Sequence, residues 1–513
     1  MDSHTENTKR IAKNTLMLYG RMLFSMVVSL YTSRVVLNTL GVEDYGIQNV
    51  VGGFVTMFSL ISSSLSSSVS RFLTFELGKG DINRLKRVFS TSMIIHIGLV
   101  IIVVIAAETI GIWFVNHKMV IPPERMCAAN WVFQASVATF CFGLLSTPYN
   151  ASIISHEHMG AFAYIGILEV CLKLGIILFV AHSPWNFDRL IVYSLLLLAV
   201  SISIRYAYWI YCRRHFEECR IRLIWDKNFI KELGAFAGWN FIGCSAALLK
   251  VQGVNILLNL TFGPIVNAAS GIANTIKSAV GGFSGNFMTA LNPQITKSFA
   301  ANDLNYSFSL AERGSRFSFY IMFLFALPLC LETDFILTLW LKQYPEHTVN
   351  FARLTLILSL SDIISNTLIT LLAATGKIRN YQLIVGGVLM LNFPLSYLAL
   401  KLGFSPESTY IIAIIISVCC MVLRLLLLHK QTGFSIRSFF LKVYLNVIIV
   451  AFLSIIIPII IHCIMNEGYL RFFTTCCACV ICSSAVILFI GCDHSERTFI
   501  LSKIPFIKHK MHL

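Results

Sequence analysis

Charged residues are scarce in this sequence: they make up 13% of its 513 residues, against about 25% in a soluble globular domain. Hydrophobic residues make up 56%, and the mean hydropathy is +0.75. A chain of this composition lacks the polar material to cover a water-facing surface. Apolar runs of about 20 residues, the length that crosses a hydrocarbon core, recur from one end to the other. We therefore expect a polytopic membrane protein.

Recognisable catalytic motifs are also missing. No glycine-rich phosphate loop, HExxH or GxSxG occurs in a supporting context, so we predict a protein that is not an enzyme and needs no cofactor. The fifteen cysteines lie mostly in apolar segments, where a thiol behaves as a small hydrophobic side chain. We expect no metal site, and interpret the cysteines at 476–482 as packing and His156-Glu157-His158 as a solvated loop.

The basic residues follow the pattern of a membrane protein. With the N-terminus inside, cytoplasmic segments hold about 25 Lys and Arg and periplasmic segments about 6, as the positive-inside rule requires. The net charge of +15 therefore does not indicate a nucleic-acid partner, and both termini are predicted to be cytoplasmic. The about fourteen predicted spans are 14–40, 47–75, 91–115, 126–150, 160–181, 189–210, 234–262, 264–296, 316–339, 351–375, 381–400, 409–428, 443–465 and 471–491.

The sequence contains an internal repeat. A shift of about 222 positions places Leu40-Gly41 on Phe262-Gly263 and maps a polar stripe of the second span onto one in the eighth. Each stripe steps by three or four residues, so it occupies one helix face. The paired positions are Gly52, Thr56, Ser59, Ser63, Ser67, Ser70 and Thr74 with Asn274, Ser278, Gly281, Gly285, Thr289, Asn292 and Thr296.

The shift covers an even number of spans, so both halves keep the same orientation, as in a parallel repeat. The predicted fold is all-α, with about fourteen transmembrane helices in two pseudo-symmetric six-helix lobes plus two C-terminal helices. We place the N-lobe (helices 1–6) in residues 1–215 and the C-lobe (helices 7–12) in 216–430. Helices 13–14 follow in 431–492, and a basic cytoplasmic tail in 493–513.

The polar stripes have two interpretations. Small residues favour close helix packing in membranes, whereas a stripe that runs nearly the full membrane depth indicates the wall of a water-filled cavity. We favour the cavity and predict that Ser63, Ser67 and Asn274 contact a substrate. Lipid tails offer no hydrogen bonds, so such faces are not expected to point outward.

Intramembrane charges mark the same region. An ionised side chain at the membrane centre costs about 2.5–3.5 kcal/mol on insertion scales, so Arg21, Arg34 and Lys277 are candidate substrate-binding residues, with snorkelling as the alternative for both arginines. Lys250 is a further candidate, although a regular helix points it away from Asn255.

Asp362 is the candidate site for a coupling proton or sodium ion. It lies on a stripe with Thr355, Ser359 and Asn366 and has no basic partner at helical spacing. A buried bridge to Lys277 or Arg21 is the alternative. The predicted cavity is thus cationic and rich in hydroxyls, which suits an anionic, sugar-bearing lipid and not a lipophilic cation.

The segments NTLMLYGRMLFSMVVSLYTSRVVLNTLGVEDYGIQNVVGG and SSSVSRFLTFELGKGD resemble the start of polysaccharide-biosynthesis flippases for O-antigen or capsule repeat units. These belong to the multidrug/oligosaccharidyl-lipid/polysaccharide exporter superfamily. The resemblance implies two six-helix lobes in a V shape and alternating access in the bacterial inner membrane. It implies basic cavity residues, which we carry over to Arg21 and Arg34.

By this resemblance the substrate is an undecaprenyl-pyrophosphate-linked oligosaccharide, carried from the inner to the outer leaflet for surface polysaccharide synthesis. Expected partners are membrane lipids, a polysaccharide polymerase and glycosyltransferases. Three alternatives stay open: a drug/cation antiporter of the same superfamily, a membrane polysaccharide polymerase or ligase, and a flippase for the peptidoglycan precursor. The polymerase is disfavoured because no predicted periplasmic loop exceeds about 20 residues, whereas those families have a large one.

Overall fold

All regular structure that the computed structural model describes is helical. The described residues are 2–56, 59–117, 121–183, 188–220, 226–262 and 264–502, and some side chains within them, including that of Arg34, lie outside the description. The helices are α1 (Asp2–Thr56), α2 (Ser59–Lys79), α3 (Ile82–Ala106), α4 (Ile112–His117), α5 (Met126–Ser155), α6 (Met159–His182), α7 (Arg189–His215), α8 (Lys227–Leu248), α9 (Val254–Phe262), α10 (Pro264–Ala300), α11 (Leu304–Leu331), α12 (Thr333–Leu341), α13 (Thr348–Ile364), α14 (Asn366–Ala374), α15 (Arg379–Met390), α16 (Asn392–Lys401), α17 (Ser408–Thr432), α18 (Ile436–Phe439), α19 (Asn446–Ile464), α20 (Tyr469–Val486) and α21 (His494–Ser502).

The predicted spans all fall on these helices, so the prediction of an all-helical polytopic fold is confirmed. Several helices are broken inside or beside a span. The long α1 breaks at Gly41, whose φ of 83° lies in the left-handed region that glycine adopts without steric cost. The second span consists of the end of α1 and of α2. Wider π-turns interrupt the helices at Ala107–Gly111, Leu249–Gly253, Phe440–Leu445 and Ile487–Gly491.

Among the described residues, ten segments are long and apolar enough to cross a membrane, and they lie in α3–α7, α11 and α13–α20. The first two spans of each predicted half lie in α1, α2, α8–α9 and α10, and they include both polar stripes. Since lipid tails satisfy no hydrogen bonds, the polar faces of these helices need a partner other than lipid.

The described chain forms two compact units. The first comprises Met1–Cys244 and Thr289–Asp303, and the second comprises Ser245–Met288 and Leu304–Leu513. In the first unit α1 packs on α6, while α5 packs on α7 and α2; in the second, α17 packs on α13, α15 and α16. The predicted domain boundaries after residues 215, 430 and 492 stay a prediction.

Within the second unit, a buried carboxylate at the end of α11 contacts both α19 and α20. Glu332 follows α11 and its side chain is 0% exposed. Arg471 of α20 donates from Nη2 to Glu332 Oε2 at 3.1 Å, and His462 Nδ1 of α19 lies 2.9 Å from Oε1. Both helices also pack on α11. Three helices therefore share one charged contact.

Another buried carboxylate organises the loop between α5 and α6 in the first unit. Glu157 has a φ of 62°, and its side chain is 1% exposed. Arg10 Nε lies 2.8 Å from Oε2 and Lys297 Nζ lies 2.7 Å from Oε1. Gln294 also donates to this carboxylate, and Asn14 donates to the Glu157 carbonyl at 3.2 Å. The interpretation as a solvated loop is wrong for Glu157, because sequence spacing does not reveal partners more than 130 residues away.

The two histidines of this loop have neighbours of their own. His156 Nε2 lies 2.6 Å from the buried Glu218 carboxylate, and His158 Nδ1 lies 2.9 Å from the Tyr211 hydroxyl. Burial lowers the pKa of His158, as do the nearby His156 and His215. Within the described residues, no group of three or more His, Cys, Asp or Glu is placed to hold a metal ion.

Candidate functional site

The second unit contains a cavity of about 290 Å³ among helices that are predicted to span the membrane. Its walls come from the α8–α9 junction, α10 and α13–α17. Four predicted site residues line it: Lys250, Asn274, Lys277 and Asp362. Its other polar lining residues are Asn255, Thr355, Asn366, Asn392, Thr409, Tyr410 and Arg424.

The π-turn at Leu249–Gly253 sets the position of Lys250. A regular helix would point Lys250 away from Asn255, but a π-turn is wider than an α-turn, and both residues line the cavity. The Lys250 carbonyl accepts a hydrogen bond from the buried Asn392 of α16 at 3.2 Å. Gly253 permits this approach of α16, because a Cβ there would lie 2.7 Å from the Phe393 ring.

Asp362 forms an ion pair across the cavity wall. Lys250 Nζ lies 3.3 Å from Oδ2 and 3.4 Å from Oδ1, and Ser417 of α17 donates to Oδ1 at 2.5 Å. The sequence analysis left open a bridge to Lys277 or Arg21, and the partner in the described structure is Lys250. The Lys250 side chain is 9% exposed and that of Asp362 is 38% exposed. The carboxylate therefore keeps one side accessible from the cavity.

Lys277 and Asn274 lie about one turn apart on α10, at the stripe that the repeat analysis identified. Both are partly buried and both line the cavity. The Lys277 ammonium interacts electrostatically with Asp362 and Lys250. Because Lys250 holds the Asp362 carboxylate in the described structure, the charge of Lys277 is available to a ligand in the cavity.

The sequence analysis missed Arg424, a further cation of this cavity. It lies on α17 and is 6% exposed, and its Nη1 donates to Ser365 Oγ at 2.9 Å. Ser365 separates α13 from α14, three residues after Asp362. The sequence could have identified it, because Arg424 lies inside the strongly apolar predicted span 409–428. An arginine in such a span is energetically costly and therefore a candidate functional residue. With Lys250, Lys277 and Arg424 facing a single carboxylate, Asp362, the lining has an excess of positive charge.

The first unit places its predicted site residues differently. The Arg21 guanidinium lies 4.5 Å from the centroid of the Phe162 ring on α6, a cation–π contact. Arg21 also interacts electrostatically with Tyr208 and Glu169. Glu169 forms the i,i+4 ion pair with Lys173 that the sequence predicts, at 2.6 Å. The Arg34 side chain lies outside the described residues.

The serine-rich helix α2 has two distinct faces within its unit. Ser64 and Ser68 are buried, and Ser64 Oγ donates to the Ala237 carbonyl of α8 at 2.8 Å. Ser63 and Ser67, the predicted contact residues, are exposed. Ser63 also hydrogen-bonds the Cys244 thiol of α8 within the same unit.

The helices form the fold of a polytopic membrane protein, and comparison with solved structures shows that this fold is MATE-like. Its two lobes match solved MATE structures over most of both chains. No family model matches the sequence, and no curated protein matches it.

Three of the similar solved structures illustrate the likeness. A MATE structure in the bent conformation has a TM-score of 0.71 at 13% identity, covering 83% of this chain and 96% of its own. The MATE transporter ClbM in complex with Rb⁺ has a TM-score of 0.67 at 13% identity, covering 84% and 96%. A MOP superfamily transporter from Pyrococcus furiosus has the same score and identity, covering 83% and 96%; its description reports a binding pocket of reverse polarity that suggests a different function.

Proposed function

We propose that this protein is an alternating-access transporter that flips a lipid-linked oligosaccharide with a pyrophosphate headgroup across the bacterial inner membrane, with both termini in the cytoplasm. The observation that carries the proposal is the charge of the second-unit cavity. Three cationic side chains, Lys250, Lys277 and Arg424, line it together with one carboxylate, Asp362. Such a lining favours an anion over a cation inside a low-dielectric membrane protein.

The chemistry of the lining suits both parts of such a substrate. Lys277 and Arg424 are placed to neutralise pyrophosphate oxygens by charge-assisted hydrogen bonds, in a proposed role that Arg21 and Arg34 share in the first unit. The amides of Asn255, Asn274 and Asn366 offer donors and acceptors to sugar hydroxyls. The polyprenyl tail needs no polar contact and stays in the lipid. Asp362 is the proposed coupling residue.

The distribution of polar helices supports transport as well. The first two spans of each predicted half include both polar stripes. Helices of this kind are stable in a membrane when one face borders protein or a wet path. Ser63 and Ser67 of α2 lie exposed on such a helix, which agrees with their proposed contact with sugars.

A drug/cation antiporter is the second candidate, and the solved structures support it better than they support the flippase. Most of the similar structures are described as MATE transporters, one of them in complex with Rb⁺ and another as a multidrug resistance MATE family transporter. In an antiporter the accessible Asp362 carboxylate would bind the cation. The pocket of the Pyrococcus furiosus protein, of reverse polarity, is a precedent within the fold for a lining that departs from the usual charge.

Reconstitution distinguishes the two functions. Purified protein is placed in liposomes with either a fluorescent polyprenyl-pyrophosphate-linked sugar or a lipophilic fluorescent cation, under an imposed proton or sodium gradient. The flippase proposal predicts that the labelled lipid changes leaflet and that the cation does not accumulate. Cation transport without lipid movement would contradict the flippase proposal and support the antiporter function. In cells, loss of a flippase leaves complete lipid-linked units on the inner leaflet, whereas loss of a polymerase lets single units reach the outside.

A further inference from the structure

A separate cavity of about 960 Å³ lies at the end of α7 in the first unit. By the predicted topology this end faces the cytoplasm. It is lined by three arginines, two aromatic side chains and two smaller residues. They are Tyr206, Trp209, Ile210, Arg213, Arg214, Cys219 and Arg220.

The lining residues on α7 form one continuous helix face. Counted from the first of them, they lie at positions i, i+3, i+4, i+7 and i+8, which share one side of an α-helix. They are Tyr206, Trp209, Ile210, Arg213 and Arg214. The Tyr206 and Trp209 rings stack at a centroid distance of 5.3 Å. The Arg213 guanidinium lies 5.2 Å from the Trp209 ring. Aromatic rings and guanidinium groups therefore lie side by side along this face.

The opposite wall of the pocket is a fixed turn. After α7 the chain reverses through the 3₁₀ turn Glu217–Cys219. Glu218 and Cys219 are 3% and 1% exposed, and Glu218 pairs with His156 at 2.6 Å. This turn holds Arg220 beside the arginines of α7, which makes the pocket a built feature and not a loose surface patch.

The guanidinium groups of this pocket have little protein charge to balance them. Arg213, Arg214 and Arg220 are exposed, and no carboxylate of the described residues forms a salt bridge with them. The nearby Glu217 carboxylate is engaged by Lys86, whose Nζ lies 2.9 Å from Oε2, and it interacts electrostatically with Arg220 as well. The pocket is therefore strongly positive and open to an anion.

The same helix face continues into the membrane. Leu195, Ile202 and Tyr206 follow at spacings of seven and four residues and are 40%, 43% and 59% exposed. From Arg213 back to Tyr206 the rise is about 10 Å at 1.5 Å per residue. Along this face the order is guanidinium, aromatic ring, aliphatic side chain, which matches the order of water, interface and hydrocarbon in a bilayer.

We propose that the α7 pocket binds the phosphate headgroup of an anionic membrane lipid in the cytoplasmic leaflet. The three arginines contact the phosphate through paired N–H donors, and Tyr206 and Trp209 contact the glycerol region. The acyl chains lie along Leu195 and Ile202. Basic pockets on the cytoplasmic side of membrane proteins bind lipid headgroups by this chemistry. The proposal depends on the predicted topology and not on which substrate the protein transports.

Native mass spectrometry of the full protein from nanodiscs tests this assignment. One set of nanodiscs contains phosphatidylglycerol and phosphatidylcholine, and the other contains phosphatidylcholine alone. The triple variant Arg213→Gln, Arg214→Gln, Arg220→Gln is compared with a control of equal charge change at exposed, predicted cytoplasmic sites: Lys377→Gln, Lys430→Gln, Arg437→Gln. We expect the first variant to bind phosphatidylglycerol about ten- to a hundredfold more weakly and the control to bind it like the wild type. Equal weakening in both triples, or none in either, would overturn the proposal.

Tryptophan quenching gives a second measurement that does not depend on the arginine variants. The signal of Trp209 is the difference between the wild type and Trp209→Phe, and the lipids carry bromine on their acyl chains. We expect brominated phosphatidylglycerol to quench this difference signal at least about twofold more than brominated phosphatidylcholine does. Equal quenching by the two lipids would mean that Trp209 only faces bulk lipid, and the assigned site would be rejected.

Discussion

The two halves of the chain share a polar stripe but not a set of charges. The shift of about 222 residues that aligns the stripes places Val28 opposite Lys250, Val55 opposite Lys277, and Gly243 opposite Arg21. In the second unit the charges converge on one cavity. In the first unit the guanidinium of Arg21 lies over the Phe162 ring. The repeat thus preserves small and polar helix faces, whereas each half has its own arrangement of charge.

This difference distinguishes residues that the fold requires from residues that the binding site requires. Small and hydroxyl side chains meet requirements that every membrane-embedded helix pair has, namely close approach and satisfied polar groups. A buried cation meets no such general requirement and is costly. The charges that occur in only one half are therefore the residues on which we expect the proposed substrate to depend.

The largest expected effect is at Lys277. Replacing it by glutamate puts a second carboxylate beside Asp362, and we expect transport of the anionic lipid to fall about ten- to a hundredfold, since a hydrogen bond to a charged group contributes about 1.5–3 kcal/mol. Arg21→Glu should have a smaller effect, because Arg21 already has a partner in Phe162. The measurement is initial flipping rate in liposomes, normalised to protein content. Lys401→Glu, an exposed lysine outside the cavity, is the control; an effect there equal to that of Lys277→Glu would contradict the assignment.

The next effect concerns stability and compares the buried glutamate of each unit. Glu332→Gln leaves Arg471, 8% exposed, without its buried partner, and we expect a loss of about 3 kcal/mol. Glu157→Gln should cost less, because Arg10 is 49% exposed and can be hydrated. Melting temperatures in detergent measure both. Glu467→Gln is the matched control, since Glu467 also pairs with Arg471 but is 76% exposed. A larger loss for Glu157→Gln than for Glu332→Gln would reverse this comparison.

A double-mutant cycle sharpens the role of the charged pair in the second unit. Lys250→Met and Asp362→Asn each leave one unpaired charge, and both should lower transport. If the pair only stabilises the cavity wall, the double variant regains much of the activity. We expect no such recovery, because the accessible Asp362 carboxylate has the proposed coupling role. An Asp362→Asn protein that still responds fully to the ion gradient would remove that role.

The smallest effect is a pH dependence outside the membrane, at Glu407. Burial raises the pKa of Glu407, but hydrogen bonds from His347 at 2.6 Å and Asn350 at 3.3 Å outweigh it, so the pKa lies below its ordinary value. The stabilisation is therefore complete above the ordinary pKa of a glutamate and is lost as the pH falls through the lowered value. We expect Glu407→Gln to lower the melting temperature by about 1–2 °C at neutral pH and to bring no change in strongly acidic buffer. An equal shift at both pH values would indicate a purely steric effect.

The sequence predicted helix positions well because apolar length and loop charge are local signals. It predicted Asn274 through the repeat, and Lys277 and Asp362 through the cost of a charge inside a span, and all three line the cavity. It did not identify the partner of Asp362 as Lys250, since the π-turn that turns Lys250 toward the cavity has no signature in hydrophobic periodicity. The contacts of the Glu157 carboxylate were not predicted, for a related reason. Its partners come from α1 and α10, and only the folded chain brings them together.

The π-turn at Leu249–Gly253 has a consequence for how this site can change. A π-turn accommodates one extra residue within an α-helix. It lets Lys250 and Asn255, which are five residues apart, line the same cavity, whereas five residues of regular α-helix would separate them by about 140°. Deleting one residue between them would restore regular winding and leave them four residues apart, which is about 40° on the same helix face. The wide turn and the extra residue therefore cancel, and the two side chains keep a common face when both are lost together.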